Sequence, residues 1–275
     1  MTVDLAQIQA LLAEDIGTGD ITAAIIPPNI KAEADTISRE AMVVCGQAWF
    51  EAVFKTLDSA IKIEWLVAEG KTVVADSTLC RIKGPARGLL TGERTALNLL
   101  QTLSATATLA RQYSDAVAGT GCKVLDTRKT IPGLRLAQKY AVACGGCYNH
   151  RIGLYDGVLI KENHIIAAGS IAKAIQTART LSNVPVEIEV ESLSELAEAV
   201  AAKPDRIMLD NFNLQDLCAA VAFEHGKIEL EASGNIDLSN IRQVAETGVD
   251  FISIGALTKN VDAVDLSMRI KLIQA

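Results

Sequence analysis

The stretch VLDTRKTIPGLR, residues 124–135, decides how the second half of this sequence is read. An apolar pair stops at Asp126, a hydroxyl follows, and Arg128 and Lys129 stand side by side before Pro132 and Gly133 turn the chain. The pattern recurs downstream. Apolar runs at 123–125, 157–160, 186–190, 206–209, 227–230 and 251–254 read as strands, and helical periodicity separates them, as over 170–181, 193–202 and 238–247. Strand, helix, strand at short intervals pairs strands in parallel through right-handed crossovers. Six runs fall short of a regular eight-stranded barrel. The spacing therefore predicts an α/β barrel of reduced strand number, with an open doubly wound sheet as the competing topology.

Polar chemistry gathers at one end of these runs. Reading on from each gives Asp126-Thr127-Arg128-Lys129, Lys161 to His164, Glu189 to Glu191, Asp210-Asn211, Ser233-Gly234-Asn235 and Gly255-Ala256. In a βα barrel that end is a single face, where loops converge on one pocket. The cations are Arg128, Lys129, Arg151 and Lys161, with His150 beside Arg151. Guanidinium groups grip carboxylates or phosphates through paired bonds, and lysines act on phosphate as point charges. Glu189 and Asp210 each end a strand, and two carboxylates facing cations suit Mg²⁺ held together with substrate phosphates. Strand alternation puts Glu187, Glu189 and Glu191 on the same side, which leaves the choice among them open. Ser233, Gly234, Asn235 and Gly255 are small residues at strand-to-helix junctions, where backbone N–H groups form an anion cradle. The set describes a phosphorylated sugar with a pyrophosphate, plus an acidic co-substrate. Polyanions explain why a chain of net charge -7 collects cations at strand tips.

The first hundred residues read differently. Leu5, Ile8, Leu11 and Leu12 share one face of a helix, and a turn-rich segment from Asp15 to Thr22 follows. Strand-like pieces at 36–39, 42–45, 61–67, 72–75 and 78–83 surround a helical pattern of Trp49, Val53, Phe54 and Leu57. This predicts a small α+β domain over 1–105, joined by a C-terminal helix, and a catalytic barrel over 106–275. A long helix is expected from Glu93, with Leu97, Leu100, Leu103 and Ala107 on one stripe. With 49% hydrophobic and 21% charged residues, the composition is that of a soluble globular protein with a sizeable core. The start shows no signal-peptide pattern and no apolar run is long enough to span a membrane, so a cytoplasmic protein is expected. Its acidic balance speaks against a general nucleic-acid binder. The six scattered cysteines then read as reduced thiols.

Several ordered motifs go further: Glu93 to Asn98, Asp126 to Arg135, Asn149-His150-Arg151-Ile152-Gly153-Leu154, Leu159 to His164, Leu209 to Phe212 and Glu246 to Asp250. In order and spacing the chain resembles the quinolinate phosphoribosyltransferase family (decarboxylating nicotinate-nucleotide pyrophosphorylases) over almost its whole length. The resemblance implies an N-terminal α/β sandwich followed by an incomplete, seven-stranded α/β barrel. It implies transfer of phosphoribose from phosphoribosyl pyrophosphate to quinolinate with loss of CO₂, in de novo NAD biosynthesis. Arg94 would reach the pocket of a neighbouring subunit, making the active unit a homodimer or larger homo-oligomer with shared sites. Thr127 would bind substrate, and Arg128, His150 and Arg151 would hold the two carboxylates of quinolinate. Lys129 and Lys161 would sit on pyrophosphate. Glu189 and Asp210 would meet Mg²⁺ or the ribose hydroxyls, and with Lys161 form the catalytic set. Ser233, Gly234, Asn235 and Gly255 would hold the 5′-phosphate. No organic cofactor is implied. Two positions depart from the family pattern: Cys147 stands where a third glycine is common, and Asn235 where Gly is frequent.

Blander and rival readings stand beside these. Arg94 could pair with Glu93 on the surface. Cys144-Gly145-Gly146-Cys147 with His150 lacks the second ligand pair of a structural zinc site. His164 and His225 read as hydrogen-bonded structural residues. Rivals for the whole are a phosphoribosyltransferase whose acceptor has one carboxylate, a catalytically silent phosphate- or metal-binding barrel, and a Schiff-base aldolase using Lys161.

Overall fold

The computed structural model describes residues 3–273. Two compact units are formed, one of residues 1–109 with 261–275 and one of residues 110–260. The first contains α1 (Leu5–Ile16), β1 (Lys31–Ser38), β2 (Met42–Val43), α2 (Gln47–Leu57), β3 (Lys62–Trp65), β4 (Thr72–Val73) and β5 (Thr78–Pro85). The long α3 (Ala86–Ala116) then carries the chain into the second unit. There follow β6 (Lys123–Leu125), α4 (Arg135–Cys144), β7 (Val158–Ile160), α5 (Glu162–Ala168), α6 (Ile171–Leu181), β8 (Val186–Val190) and α7 (Leu193–Ala202). The unit ends with β9 (Arg206–Asp210), α8 (Leu214–Ala222), β10 (Glu229–Ser233), α9 (Ile241–Glu246), β11 (Phe251–Ser253) and α10 (Ala256–Lys259); β12 (Leu266–Ile273) returns to the first. No helix among the described residues is long and apolar enough to cross a membrane.

In the first unit an antiparallel sheet runs in the order β12-β1-β5-β3. β1 buries Ala32, Ala34, Thr36 and Ser38 and exposes more of the residues between them, the period-two signature of a half-buried strand. α2 buries Phe50 and Phe54, whose rings meet edge to face at 5.1 Å, and Phe50 meets Trp65 at 5.4 Å. Asp20 shapes the turn expected of it: its Oδ1 accepts from Thr22 and Ala23 N–H and its Oδ2 from the Thr91 hydroxyl. Two expectations need correction. The long helix begins at Ala86 rather than Glu93, because Gly88 and Gly92 lower helix propensity over its first turns and hide them. The C-terminal segment is a strand, not a helix: Leu266, Met268, Ile270 and Leu272 alternate with Ser267, Arg269 and Lys271, and all eight residues pair with β1.

The second unit holds a parallel sheet of six strands, ordered β6-β11-β10-β9-β8-β7. β8 is buried at all five positions, as a strand covered on both faces must be. The expected seventh strand is reduced to one residue. Tyr148 forms a parallel bridge with Leu125, its N–H donating to Val124 O and its carbonyl accepting from Asp126 N–H. The sheet also curls. His150 Nε2 lies 2.9 Å from Glu187 on β8, although five strand spacings, about 24 Å, would separate the Tyr148 bridge from β8 in a flat sheet. That contact requires an open barrel with an interior, and excludes the doubly wound alternative.

Candidate functional site

At the C-terminal ends of the barrel strands lies a cavity of about 470 Å³. Thr127, Arg128, Lys129, His150, Arg151, Lys161, Glu189, Asp210 and Ser233 all line it. Period-two alternation selects them: Leu159 and Lys161, Glu187 and Glu189, Met208 and Asp210, Glu231 and Ser233 face inward while Ile188 and Leu209 pack outward. Glu189 reaches the cavity and its Oε2 accepts from Lys161 Nζ. Glu187 lies one layer deeper against His150, and Glu191 is exposed beyond the strand end. The alternation therefore separates the three glutamates by depth.

Lys161 has its carboxylate, but the two arginines of the cavity are poorly compensated. Arg128 Nε is buried and has no hydrogen-bond partner. Arg151 donates one bond to the Gly157 carbonyl, 3.0 Å. Burial, and after it the charge of Arg128, lower the pKa of the Arg151 guanidinium. Two arginines that repel each other across one cavity, one with an orphaned donor, call for an anion between them. Lys129 is exposed, and a Cβ on Gly255 would come within 3.1 Å of its Cδ, so glycine there lets the lysine chain pass close over the end of β11.

The loop 127–134 is tied down from below. Lys129 N–H donates to Thr127 Oγ1, the Thr258 hydroxyl to Lys129 O, Gln138 Nε2 to Thr258 O, and Ile131 N–H to Gln138 Oε1. Segment 149–151 hangs on a buried ion pair. Asp126 Oδ1 accepts from Lys139 Nζ and from His150 N–H at 2.8 Å, and its Oδ2 from Asn149 Nδ2 at 2.7 Å. Lys139 also donates to His150 O, 2.9 Å. Burial raises the pKa of Asp126 and lowers that of Lys139, each opposed by its partner. Sequence reading missed this support because Lys139 looks like any helix lysine; its spacing on the buried face with Ala137, Gln138, Ala141 and Val142 was the available signal.

His150 is held through Nδ1, while its buried Nε2 is set against two acids without a well-directed hydrogen bond. Nδ1 accepts from Arg151 N–H at 2.8 Å, while Nε2 faces Glu187 at 2.9 Å and Glu231 at 3.7 Å. Burial works against the imidazolium, but the closeness and charge of Glu187, with Glu231 behind, raise its pKa. Protonating Nδ1 would cost Arg151 N–H its acceptor, which restrains that rise. Burial, then the charge of Glu187, push the Glu231 carboxyl up to about 7 against the pull of His150 and Arg206. These three side chains lie close enough for a metal ion. With Nδ1 accepting, however, the ring proton sits on Nε2 and leaves no lone pair to coordinate. Arg206 Nη1, 3.1 Å from Glu231, already supplies a cation.

A larger hollow, about 690 Å³, opens at the N-terminal ends of β7, β8 and β9. Its remaining arginines are matched: Arg179 with Asp205, Arg206 with Glu229 and Glu231. Polar groups aimed at a ligand lie in the smaller cavity.

Other expected residues lie outside the cavity wall. Gly234 and Asn235 follow Ser233 at its rim, with φ of +93° and +53°. Their loop does not open directly onto a helix N-terminus, because α9 starts only at Ile241. Arg94 is exposed on α3 in the first unit. Cys147 has no positive φ, is buried and hydrogen-bonds Ala110 O, so its side chain leaves the path to His150 and Arg151 intact. No disulfide joins any of the six cysteines, which are thiols as expected. His164 Nδ1 accepts from Lys161 N–H and His225 Nδ1 bonds Ile228 O, both structural roles as expected.

Comparison with known proteins finds matches over almost the whole chain. The profiles of the quinolinate phosphoribosyl transferase N-terminal and C-terminal domains match residues 20–104 and 106–269. A probable nicotinate-nucleotide pyrophosphorylase (carboxylating) of Synechocystis sp. is 43% identical over 268 residues, 96% of this chain and 91% of the relative. One from Bacillus subtilis is 40% identical over 94% of this chain and 90% of its own length. The solved nicotinate-nucleotide pyrophosphorylase of Francisella tularensis superposes with a TM-score of 0.94 at 49% identity, covering 98% of each chain.

Proposed function

Because the chain belongs to the quinolinate phosphoribosyl transferase family, we propose that it transfers phosphoribose from phosphoribosyl pyrophosphate to quinolinate, releasing pyrophosphate and CO₂ and leaving nicotinate mononucleotide. The observation that carries this reading is the Arg128–Arg151 pair. Two guanidiniums lining one cavity, neither with a hydrogen-bonded carboxylate, match an acceptor with two adjacent carboxylates, and the buried Arg128 Nε is the donor such a ligand satisfies.

The other residues follow from their positions. Lys129 beside Gly255 and Lys161 at the end of β7 face the pyrophosphate, and Ser233 to Asn235 face the 5′-phosphate. Glu189 and Asp210 face the ribose. Cleaving the C1–pyrophosphate bond builds positive charge on the sugar, which the carboxylates stabilise, while negative charge develops on the departing group, which the lysines stabilise. Seating these charges beforehand is what the Lys161–Glu189 contact does. His150, whose Nδ1 accepts from Arg151 N–H and whose Nε2 is set against buried acids, serves by fixing Arg151. After transfer the cationic ring nitrogen stabilises the electron pair left when CO₂ departs.

Glu189 and Asp210 also fit Mg²⁺. Lys161 takes one oxygen of Glu189 and Asn211 one of Asp210, and the second oxygen of each has no protein hydrogen bond among the described residues. Two hard oxygen donors beside a phosphate site are what Mg²⁺ takes, and the ion would supply neutralising charge to pyrophosphate.

Incubation with quinolinate, phosphoribosyl pyrophosphate and Mg²⁺ should yield CO₂ and nicotinate mononucleotide. Turnover of nicotinate in place of quinolinate would overturn the acceptor assignment. Sites shared between subunits, with Arg94 serving its neighbour, would let mixed Arg94→Ala and Lys161→Ala chains recover activity that neither has alone.

A further inference from the structure

Among the described residues only four besides glycine have positive φ, and two of them, Asn211 (+57°) and Asn235 (+53°), stand beside the cavity. Left-handed backbone disfavours L residues, asparagine least among those with side chains. The two amides are joined. Asn235 Nδ2 donates to Asn211 Oδ1 at 3.0 Å, and Asn211 Nδ2 donates to Asp210 Oδ2 at 2.6 Å. Behind them Asn240 Nδ2 holds Asn235 O at 3.0 Å, and Asn211 N–H donates to Ser233 O at 2.8 Å. The loops touch so closely that a Cβ on Gly234 would lie 2.2 Å from Asn211 Oδ1.

The direction of the chain matters. An amide has one donating and one accepting end, and a flipped Asn211 would set its oxygen against the Asp210 carboxylate. By donating to Asn211 Oδ1, Asn235 fixes the amide with nitrogen toward Asp210. One oxygen of the cavity-lining Asp210 carboxylate is thereby held, and the other takes no protein hydrogen bond among the described residues. The link runs between two loops that the proposed reaction uses for different parts of one substrate.

We infer that Asn211 and Asn235 are positioning residues that couple the 5′-phosphate loop to Asp210, so that docking of the phosphate aligns the carboxylate serving the ribose. The inference rests on the phosphoribosyl-transfer reading. Asn235→Gly is the clean probe, because glycine accepts φ of +53° without strain and removes only the amide. Losing one hydrogen bond of about 1 kcal/mol corresponds to roughly a fivefold change in an equilibrium. The dissociation constant of phosphoribosyl pyrophosphate with Mg²⁺, measured calorimetrically, and its KM should both rise about three- to tenfold. The KM for quinolinate and the thermal midpoint should stay at wild-type values. Asn235→Asp keeps the shape but cannot donate to Asn211 Oδ1, and should share the defect. Wild-type affinity in both variants overturns the inference and leaves the reaction standing. A fall in midpoint with both KM values rising together assigns the asparagines a general structural role and also overturns it. A wild-type protein that neither binds phosphoribosyl pyrophosphate nor turns over defeats the reaction itself, and the coupling with it.

Discussion

Replacing Lys139 by Met tests whether the buried pair beneath the cavity positions the acceptor side. The Lys139 and Asp126 side chains are 2% and 0% exposed, so the substitution strands a carboxylate in a dry interior. Breaking such a pair by removing one partner costs about 3–5 kcal/mol. Asp126 keeps His150 N–H and Asn149 Nδ2 as donors, which argues for the lower end, about 3 kcal/mol. For a unit of this size that is a fall in thermal midpoint of about 6–12 °C. The loss should shrink when Asp126→Asn is added, because the stranded charge is then gone, and a double-mutant cycle from urea unfolding should return a coupling above about 2 kcal/mol. Activity should fall through the acceptor: with His150 O released, Arg151 shifts and KM for quinolinate rises more than KM for phosphoribosyl pyrophosphate. A Lys139→Met protein within about 1 kcal/mol of wild type, or a coupling near zero, would refute the reasoning.

Arg128→Ala removes a charged donor worth about 1.5–3 kcal/mol, so quinolinate should bind some 10- to 150-fold more weakly by calorimetry; unchanged affinity contradicts its role. The folded-state pKa of Glu231, about 7 against an ordinary 4.5, means the folded chain keeps a proton that the unfolded chain releases. Its contribution to stability is therefore full below about pH 4.5 and lost as pH rises through about 7, so Glu231→Gln should flatten that part of the pH dependence of urea midpoints, with the raised pKa values of His150 and Asp126 leaving a residual slope. Parallel profiles for variant and wild type would count against it. The Cys147 thiol is buried and pushed up to about 12 by burial, so iodoacetamide near pH 8 should modify exposed Cys218 while Cys147 stays silent until unfolding. Peptide mapping that finds early labelling at Cys147 would show the loop before His150 to be open.

Local chemistry was legible wherever a residue's neighbours in the chain set its surroundings. Short apolar runs between helical patterns located the parallel strands, and the change from apolar run to charge located their ends, because a barrel sends every strand end to one face. Arg128, Lys161 and Asp210 could be chosen on that ground alone, whereas Glu189 stood beside Glu187 and Glu191 until depth in the barrel separated them. The C-terminal strand was missed for a different reason: an exposed edge strand is secured mainly by its partner, and β1 lies more than two hundred residues away in the chain.

Sequence by itself determined the composition of the strand tips and the side of each strand that faces inward, since both depend on spacing along the backbone. Only the tertiary structure decided depth and pairing. Curvature of the sheet brings His150 to Glu187 and Glu231, turns the histidine into a support for Arg151, and leaves Arg128 Nε without a partner. It also puts Lys139 under the site and joins Asn235 to Asp210 through Asn211. Those contacts cross between strands and loops distant in the chain, where desolvation and hydrogen-bond direction fix each group's role, and neither quantity exists until the barrel has curled.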